Sequence, residues 1–381
     1  MSAPVYVVAS AAVSPFGLGG DALVRGLRGE VPPVASTVDE LPAVPARAVA
    51  PVAAAVDPVP AKARKTMARG AYLAAVALRA LVTAAAWVER DAIGYFLGVG
   101  ASGGSMHDLE AILAATLAGA AAGDDGALDL QRFGSAGIPA CNPLLAFQLM
   151  NNFTMCHGAI LEGTTGPSGA FFSRGAGTVT ALVEAREAII AGDCARAIAG
   201  GADSALHPVT WLEHARLADV PVRLPASEGA ALLALAAAPV DGAPAIVVEV
   251  AAQVTRADDP AARAAALVGD ACDVVLVGAD DPAQQDMLAR PFDRGKPITP
   301  LPPSGAARGD AESTGRDAAR ARSATVVTLD ALGTALAATP ALGWVAAIEL
   351  LRAGARRVAV VTFDGAGDLA VAVFARAGGG A

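Results

Sequence analysis

The sequence predicts an α/β fold built in layers, and two observations carry that expectation. Short apolar runs that read as strands alternate with longer helix-like stretches in both halves of the 381-residue chain. Hydrophobic residues make up 54% of the chain and aromatics only 4%, at a mean hydropathy of +0.48. A large core is therefore available, and small side chains, alanine above all, must fill it.

The elements follow in order. Val5 to Ala9 is an apolar run closed by Ser14-Pro15-Phe16-Gly17, a strand entering a turn. Asp21 to Leu27 reads as a short helix, and 31–60, rich in Pro, Val and Ala without periodicity, as a surface loop. Lys62 to Val88 reads as one long helix and Ala92 to Val99 as a strand ending in the glycine cluster Gly100 to Gly104. Met106 to Ala118 is helical, and Gly123 to Gly126 is a Gly/Asp patch. Asn142 to Asn152 reads as an apolar helix, and Cys156 to Leu161 as a short helix or turn. Gly169 to Ser173 is a strand, Thr178 to Ala191 a helix stopped by Gly192, and Ala195 to Gly200 a strand. Residues 226–237 read as a turn and a buried strand, and Ala245 to Val254 as another strand. The alternation then repeats: helix Ala262 to Val268, strand Asp273 to Val277, and helix Leu332 to Leu351. Two final strands, Val358 to Thr362 and Leu369 to Phe374, flank a hairpin turn at Asp364 to Asp368. Residues 297–323, rich in Pro, Gly, Ser and Arg, read as a mobile loop or an excursion over the surface.

Composition narrows the function. A net charge of −9 argues against nucleic-acid binding. Cys141, Cys156, Cys194 and Cys272 form no CxxC pair and no metal-ligand spacing, so they read as reduced thiols of a cytoplasmic protein that holds no metal. The apolar N-terminus lacks a basic region and reads as a strand, not a signal peptide. Ala71 to Val88 is broken by Arg79 and reads as a buried helix, not a membrane span.

Several motifs, in order and spacing, resemble the β-ketoacyl synthases of the thiolase superfamily. They are Ala9 to Gly17; Gly98-Val99-Gly100 with Gly103-Gly104; Gly166-Pro167-Ser168; Ala199-Gly200-Gly201-Ala202; and Ser227-Glu228-Gly229-Ala230. The stretch from 159 to 203 carries the resemblance furthest. It implies the duplicated five-layer αβαβα thiolase architecture, with halves at 1–240 and 241–381. It also implies a dimer in which the elbow strands of two subunits pair, with Phe171, Phe172, Ser173 and Gly175 at the interface and tunnel.

The resemblance also implies catalytic residues, and this chain lacks them. Gly175 stands where the family has its nucleophilic cysteine, at the end of the elbow 166–177. Glycine forms no thioester and moves no proton. The family's two catalytic histidines belong in the second half, yet His107, His157, His207 and His214 all precede residue 215. Gly278 falls where the first is expected. Leu329 and Thr334 replace the lysine and the second histidine of a Lys-Ser-x-x-Gly-His run, and Thr362 to Gly367 keeps the turn of a glycine-rich C-terminal loop without its sequence. The chain is thus similar to chain-length factors, non-catalytic subunits that pair with an active ketosynthase and shape the acyl-chain tunnel. Better-known members carry glutamine where Gly175 stands. An apolar, uncharged pocket at Gly175, walled by Phe171, Phe172 and alanines, is expected; a decarboxylase or acyltransferase with recruited residues would instead gather titratable groups there. The implied partners are an active ketosynthase and an acyl carrier protein, with no cofactor, nucleic acid or membrane.

Other candidates have plainer readings. Adjacent Cys156 and His157 point about 100° apart on a helix and read as packing. His207 and His214 read as surface or satisfied core residues. Asp280 and Asp281, before Pro282, read as a helix cap. The Gly100 to Gly104 cluster lacks a phosphate-loop spacing and reads as a turn against a buried helix. Arg316, Arg320 and Arg322 are a solvated face or an attraction for an acidic carrier protein.

Overall fold

The computed structural model describes residues 3–101, 103–118, 129–217, 224–269, 272–293 and 324–378. The stretch 297–323 with Arg316, Arg320 and Arg322, and the Gly123 to Gly126 patch, lie outside the described residues.

The strands are β1 Tyr6–Ser14, β2 Gly17–Leu18, β3 Val34–Val38, β4 Leu41–Ala48, β5 Gly94–Val99, β6 Ser168–Phe172, β7 Arg196–Ser204, β8 Ala226–Ala236, β9 Ile246–Val254, β10 Val274–Ala279, β11 Thr325–Thr328, β12 Arg357–Phe363 and β13 Leu369–Arg376. The helices of the first half are α1 Gly20–Leu27, α2 Ala61–Arg64, α3 Arg69–Ala84, α4 Met106–Leu117, α5 Leu130–Arg132, α6 Ile138–Ala140, α7 Leu145–Leu149, α8 Phe153–Glu162, α9 Val179–Ala191 and α10 Pro208–Leu217. Those of the second are α11 Pro260–Val268, α12 Pro282–Ala289 and α13 Ala338–Arg352.

The strand order repeats. The first half runs β1-β8-β7-β5-β6 and the second β9-β13-β12-β10-β11. In each, the first two neighbours pair antiparallel, the next pair is also antiparallel, and the last three strands are parallel. The two sets meet through Tyr6↔Val247 and Val7↔Ile246.

The layers follow from where apolar faces are buried. Helix α9 touches β5, β7 and β9, and α13 touches β7, β8 and β12, so both lie between the two sets of strands. Helix α13 buries residues all round, from Ala338 and Leu342 to Trp344 and Leu351, as a helix sandwiched on both sides must. Helix α9 ends at Gly192 in the left-handed region, φ 82°, the expected stop. Helices α3 and α8 cover the outer face of the first set, and α11 and α12 that of the second. The result is the expected five-layer αβαβα arrangement, its central core built around α9 and α13. Small residues make it close: a Cβ on Gly201 would come within 2.2 Å of the Ala337 carbonyl, so glycine lets α13 start directly against β7.

The structure corrects several expectations. Residues 31–60 are not all loop: β3 and β4 form an antiparallel hairpin that reaches β8 through Ala46↔Ala226 and Arg47↔Ser227. The helix expected over 62–88 is interrupted between Arg64 and Arg69. The helix expected over 142–152 shrinks to α7. The helix expected from Leu332 begins at Ala338, because Gly333 (φ 78°) and Leu336 (φ 48°) turn the chain through the left-handed region first.

Candidate active-site elbow

The carboxyl ends of parallel strands from both halves converge, the position where open α/β sheets place their sites. After β6 the chain turns through Ser173, Arg174 and Gly175 into a 3₁₀ turn, Ala176–Thr178, and then α9. The Ser173 hydroxyl accepts from Gly175 N–H at 3.0 Å and donates to Gly175 C=O at 2.9 Å. Thr178 Oγ1 donates to the Ala337 carbonyl at 2.8 Å. The elbow is thus fixed by its own side chains and tied to the start of α13.

Gly175 has φ 153°, ψ −97°, a backbone conformation that L side chains rarely adopt. A Cβ built there would lie 2.9 Å from Asp364 Cβ. The carboxylate of Asp364 accepts from Ala176 N–H at 3.1 Å through Oδ2, and from Ala366 and Asp368 N–H at 3.0 and 3.1 Å through Oδ1. Charge at a helix N-terminus is favourable, and here the chain supplies it.

The duplication gives this contact a counterpart. Register Val99↔Ala202 in one half and Ala279↔Phe363 in the other leaves Asp203 and Asp364 one residue beyond the last parallel pairing. Asp203 accepts from Ser204 N–H at 2.8 Å and, through Oδ2, from Ala337 N–H at 3.3 Å at the head of α13. Each half thus ends a strand with a buried carboxylate against the first turn of the other half's central helix.

His214 on α10 joins this group. It is 6% exposed, and its Nε2 lies 3.3 Å from Asp280 Oδ2, a charge contact and not an aligned hydrogen bond. Asp280 Oδ2 in turn accepts from Gly365 N–H at 3.2 Å. Burial pushes Asp203 up to about 7, against the backbone donors and the nearby His214 that favour its ionised form. Burial likewise pushes Asp364 up to about 6, helped by the charges of Asp368 and Asp280. For His214, burial alone would lower the pKa; Asp280, Asp203 and Asp364 outweigh it and raise it.

The sequence-expected residues are only partly brought together. Gly175 and Gly278 line one small cavity with Asp280, Thr362, Phe363 and Asp364, and its volume is about 10 Å³. That is room for about one water. Leu329 is buried and would touch a side chain at Gly278, while Thr334 is buried against Ala226, outside that lining. Among the described residues, the cavity at Gly175 has a polar lining and not the apolar wall expected. Its space is taken by Asp364 and Asp280, and Phe171 and Phe172 do not line it. Phe171 packs against the central core, and Phe172 is 54% exposed on β6.

Sequence reading missed the histidine and carboxylates that do converge. Asp281, not Asp280, caps α12 by accepting from Ala283 N–H at 2.7 Å. His214, read as surface or satisfied core, is the buried partner of Asp280. The signal for Asp203 and Asp364 was a carboxylate in the last residues of a buried strand or directly after it, at the sheet's carboxyl edge. His157, by contrast, meets the Thr66 carbonyl at 3.1 Å and the Phe153 ring, and burial lowers its pKa. Gly100, Ala101 and Gly103 border a second cavity of about 320 Å³ with Arg69, Asp203, His207 and Glu228. Glu228 is 1% exposed and fully engaged: it pairs with Arg69 at 2.7 and 3.0 Å and accepts from Val49 N–H and Ser204 Oγ. Among the described residues no group of three or more His, Cys, Asp or Glu is arranged to hold a metal ion, and no helix is long and apolar enough to cross a membrane.

Residues 2–221 match the family described as β-ketoacyl synthase, N-terminal domain. The chain belongs to the β-ketoacyl synthase family. No curated protein matches its sequence. Among solved structures, this ketosynthase-family chain is similar to the type II PKS acyl-carrier protein in complex with its ketosynthase bound to the hexaketide (AntDE:AntF). That match has 15% identity, 99% of this chain and 100% of that one covered, and a TM-score of 0.69. It is similar to the ishigamide ketosynthase/chain length factor at 21% identity, 98% and 100% coverage, and a TM-score of 0.68. A β-ketoacyl synthase from Burkholderia phymatum STM815 matches at 16% identity, 99% and 100% coverage, and a TM-score of 0.66. At these identities the likeness is one of fold.

Proposed function

We propose that this ketosynthase-family chain is a non-condensing subunit of chain-length-factor type. It pairs in the cytoplasm with an active β-ketoacyl synthase of type II polyketide, aryl-polyene or fatty-acid-like biosynthesis, and it helps shape the acyl-chain tunnel. The observation that carries this reading is the elbow: Gly175 offers no nucleophile, and Asp364 fills the room a side chain would need. Condensing chemistry needs a thiolate at a helix N-terminus beside oxyanion donors. Here one such donor, Ala176 N–H, is already bound to a carboxylate.

The surface supports pairing. Strand β6 lies at the end of its sheet, bonded to β5, and Phe172 on it is exposed. The segment from α6 to α8, whose last helix packs on β5, exposes Ile138, Phe147, Met150 and Ile160. Apolar surface of this kind marks protein contacts. Phe171, Phe172, Ser173 and Gly175 are then the interface and tunnel residues, and an acyl carrier protein is the second partner. The solved carrier-protein–ketosynthase complex of similar fold supports that assignment. The reading needs no cofactor, metal, nucleic acid or membrane.

The His214–Asp280 pair with Asp203 and Asp364 favours a second reading, a decarboxylase or acyltransferase using recruited residues. Co-expression with an active β-ketoacyl synthase decides between them. The first reading expects a one-to-one complex that extends chains, with this subunit inert alone. Release of carbon dioxide from a malonyl thioester by the isolated chain, lost on His214→Ala, would establish the second.

A further inference from the structure

We propose that helix α10 is a latched cover over the meeting of the two halves: it lifts as a unit, and two ion pairs, Arg174–Glu213 and His214–Asp280, hold it shut.

The way α10 is held carries this. It bridges the halves: Thr210 Oγ1 donates to the Ala101 carbonyl of the first half at 3.2 Å, and His214 meets Asp280 of the second at 3.3 Å. Beside that contact, Arg174 of the elbow donates to Glu213 at 3.0 Å. Arg174 and Asp280 both line the small cavity at Gly175, so each latch closes onto that cavity. Apolar packing adds little. Among the described side chains of α10, only Trp211 joins an apolar cluster, with Val38, Ala46 and Leu336. Val209 and Leu212 face solvent, 49% and 56% exposed. Among the described residues no strand or helix runs closely along α10, whereas α9 and α13 are each packed against several strands. A helix with one apolar anchor and a few polar ties opens before the core of its fold does. The Arg174–Glu213 pair is partly in solvent and holds weakly. The His214–Asp280 contact is buried and holds more, because removing one member leaves the other buried without its partner. Lifting α10 uncovers Asp280 and opens a way to the cavity. The inference holds for either reading of the elbow and does not depend on pairing with another subunit.

Hydrogen exchange of the full chain, followed by mass spectrometry, is the test. In the parent, the amides of α10 should exchange about tenfold faster than those of α9 and α13, at a rate that low urea leaves unchanged, because a local lift exposes little surface. His214→Gln should speed α10 by a further factor of about ten and leave α9 and α13 unmoved. Glu213→Gln should act in the same direction and less. Exchange of α10 only in step with α9 and α13 would overturn the proposal, as would an equal acceleration of all three in His214→Gln. If His214→Gln does not fold, Arg174→Gln breaks the other latch from the elbow side. Acceleration confined to α10 is then the expected result, and no acceleration, or acceleration of all three helices, the contrary one. A second readout concerns what α10 covers. Thr362→Cys, in the cavity at Gly175, should be alkylated by iodoacetamide at residue 362 about fivefold faster when a latch is also broken than when both are intact. Equal rates would show that α10 covers nothing there and would overturn the proposal as well.

Discussion

The N–H of Ala176 donates to the Asp364 carboxylate at 3.1 Å, tying the elbow of the first half to the β12–β13 turn of the second. Two halves of a duplicated fold are thus joined at the elbow. Gly175, beside that bond, has no room for a side chain.

Replacing Gly175 with alanine should therefore destabilise the chain by about 2 kcal/mol, from a strained backbone and a 2.9 Å contact with Asp364 Cβ. The cost should shrink in an Asp364→Gly background, because the two sites share one space. Urea unfolding of the four proteins of this cycle measures both effects. Equal costs in the two backgrounds would show that the crowding is not real.

Stability should fall as pH rises from about 4 to about 7. The folded chain holds protons on Asp203 to about 7 and on Asp364 to about 6, whereas the ordinary value is 3.8. Between those values the folded state binds more protons than the unfolded one, so raising pH favours unfolding. His214, also raised, adds to the fall above its ordinary 6.5. These groups, with Asp280 and Asp368 beside them, titrate as one coupled set. A pKa difference of one is worth about 1.4 kcal/mol, so the loss amounts to a few kcal/mol. Asp203→Asn should flatten the profile in denaturant melts; an unchanged slope would remove Asp203 from this account.

Glu228→Ala should cost on the order of 3 kcal/mol, since it strips a buried carboxylate from Arg69, Val49 N–H and Ser204 Oγ at once. Arg69→Met should cost a comparable amount, because it leaves the buried Glu228 carboxylate without its cation. The two denaturation midpoints check this.

Phe172→Asp should leave the isolated chain within about 0.5 kcal/mol of the parent, since the side chain is largely in solvent. The same change should abolish co-purification with the ketosynthase partner. Retention of a normal complex would place the interface elsewhere.

Much of this was legible in the sequence, for physical reasons. Strands such as Val274–Ala279 and Ala226–Ala236 are buried on both faces and read as continuous apolar runs. Gly192 marked the end of α9 because only a residue tolerant of positive φ closes a helix that way. The β3–β4 hairpin was not legible: Pro42 and Pro45 lie in β4, and its exposed residues show no alternation. The late start of α13 depends on Leu336 at positive φ, which nothing in its local sequence announces. At the site, the absence of a thiol at Gly175 was readable from one position. The meeting of Asp203, His214, Asp280 and Asp364 was not, because it arises from the duplication folding distant strand ends onto one another.

The most direct test of the central claim, a ketosynthase shell without a condensing nucleophile, is the intact mass of the purified chain after incubation with an acyl-carrier thioester. The account predicts an unchanged mass while an active ketosynthase in a parallel reaction gains the acyl group. A stable acyl adduct on this chain, mapped to any residue around Gly175, would contradict it.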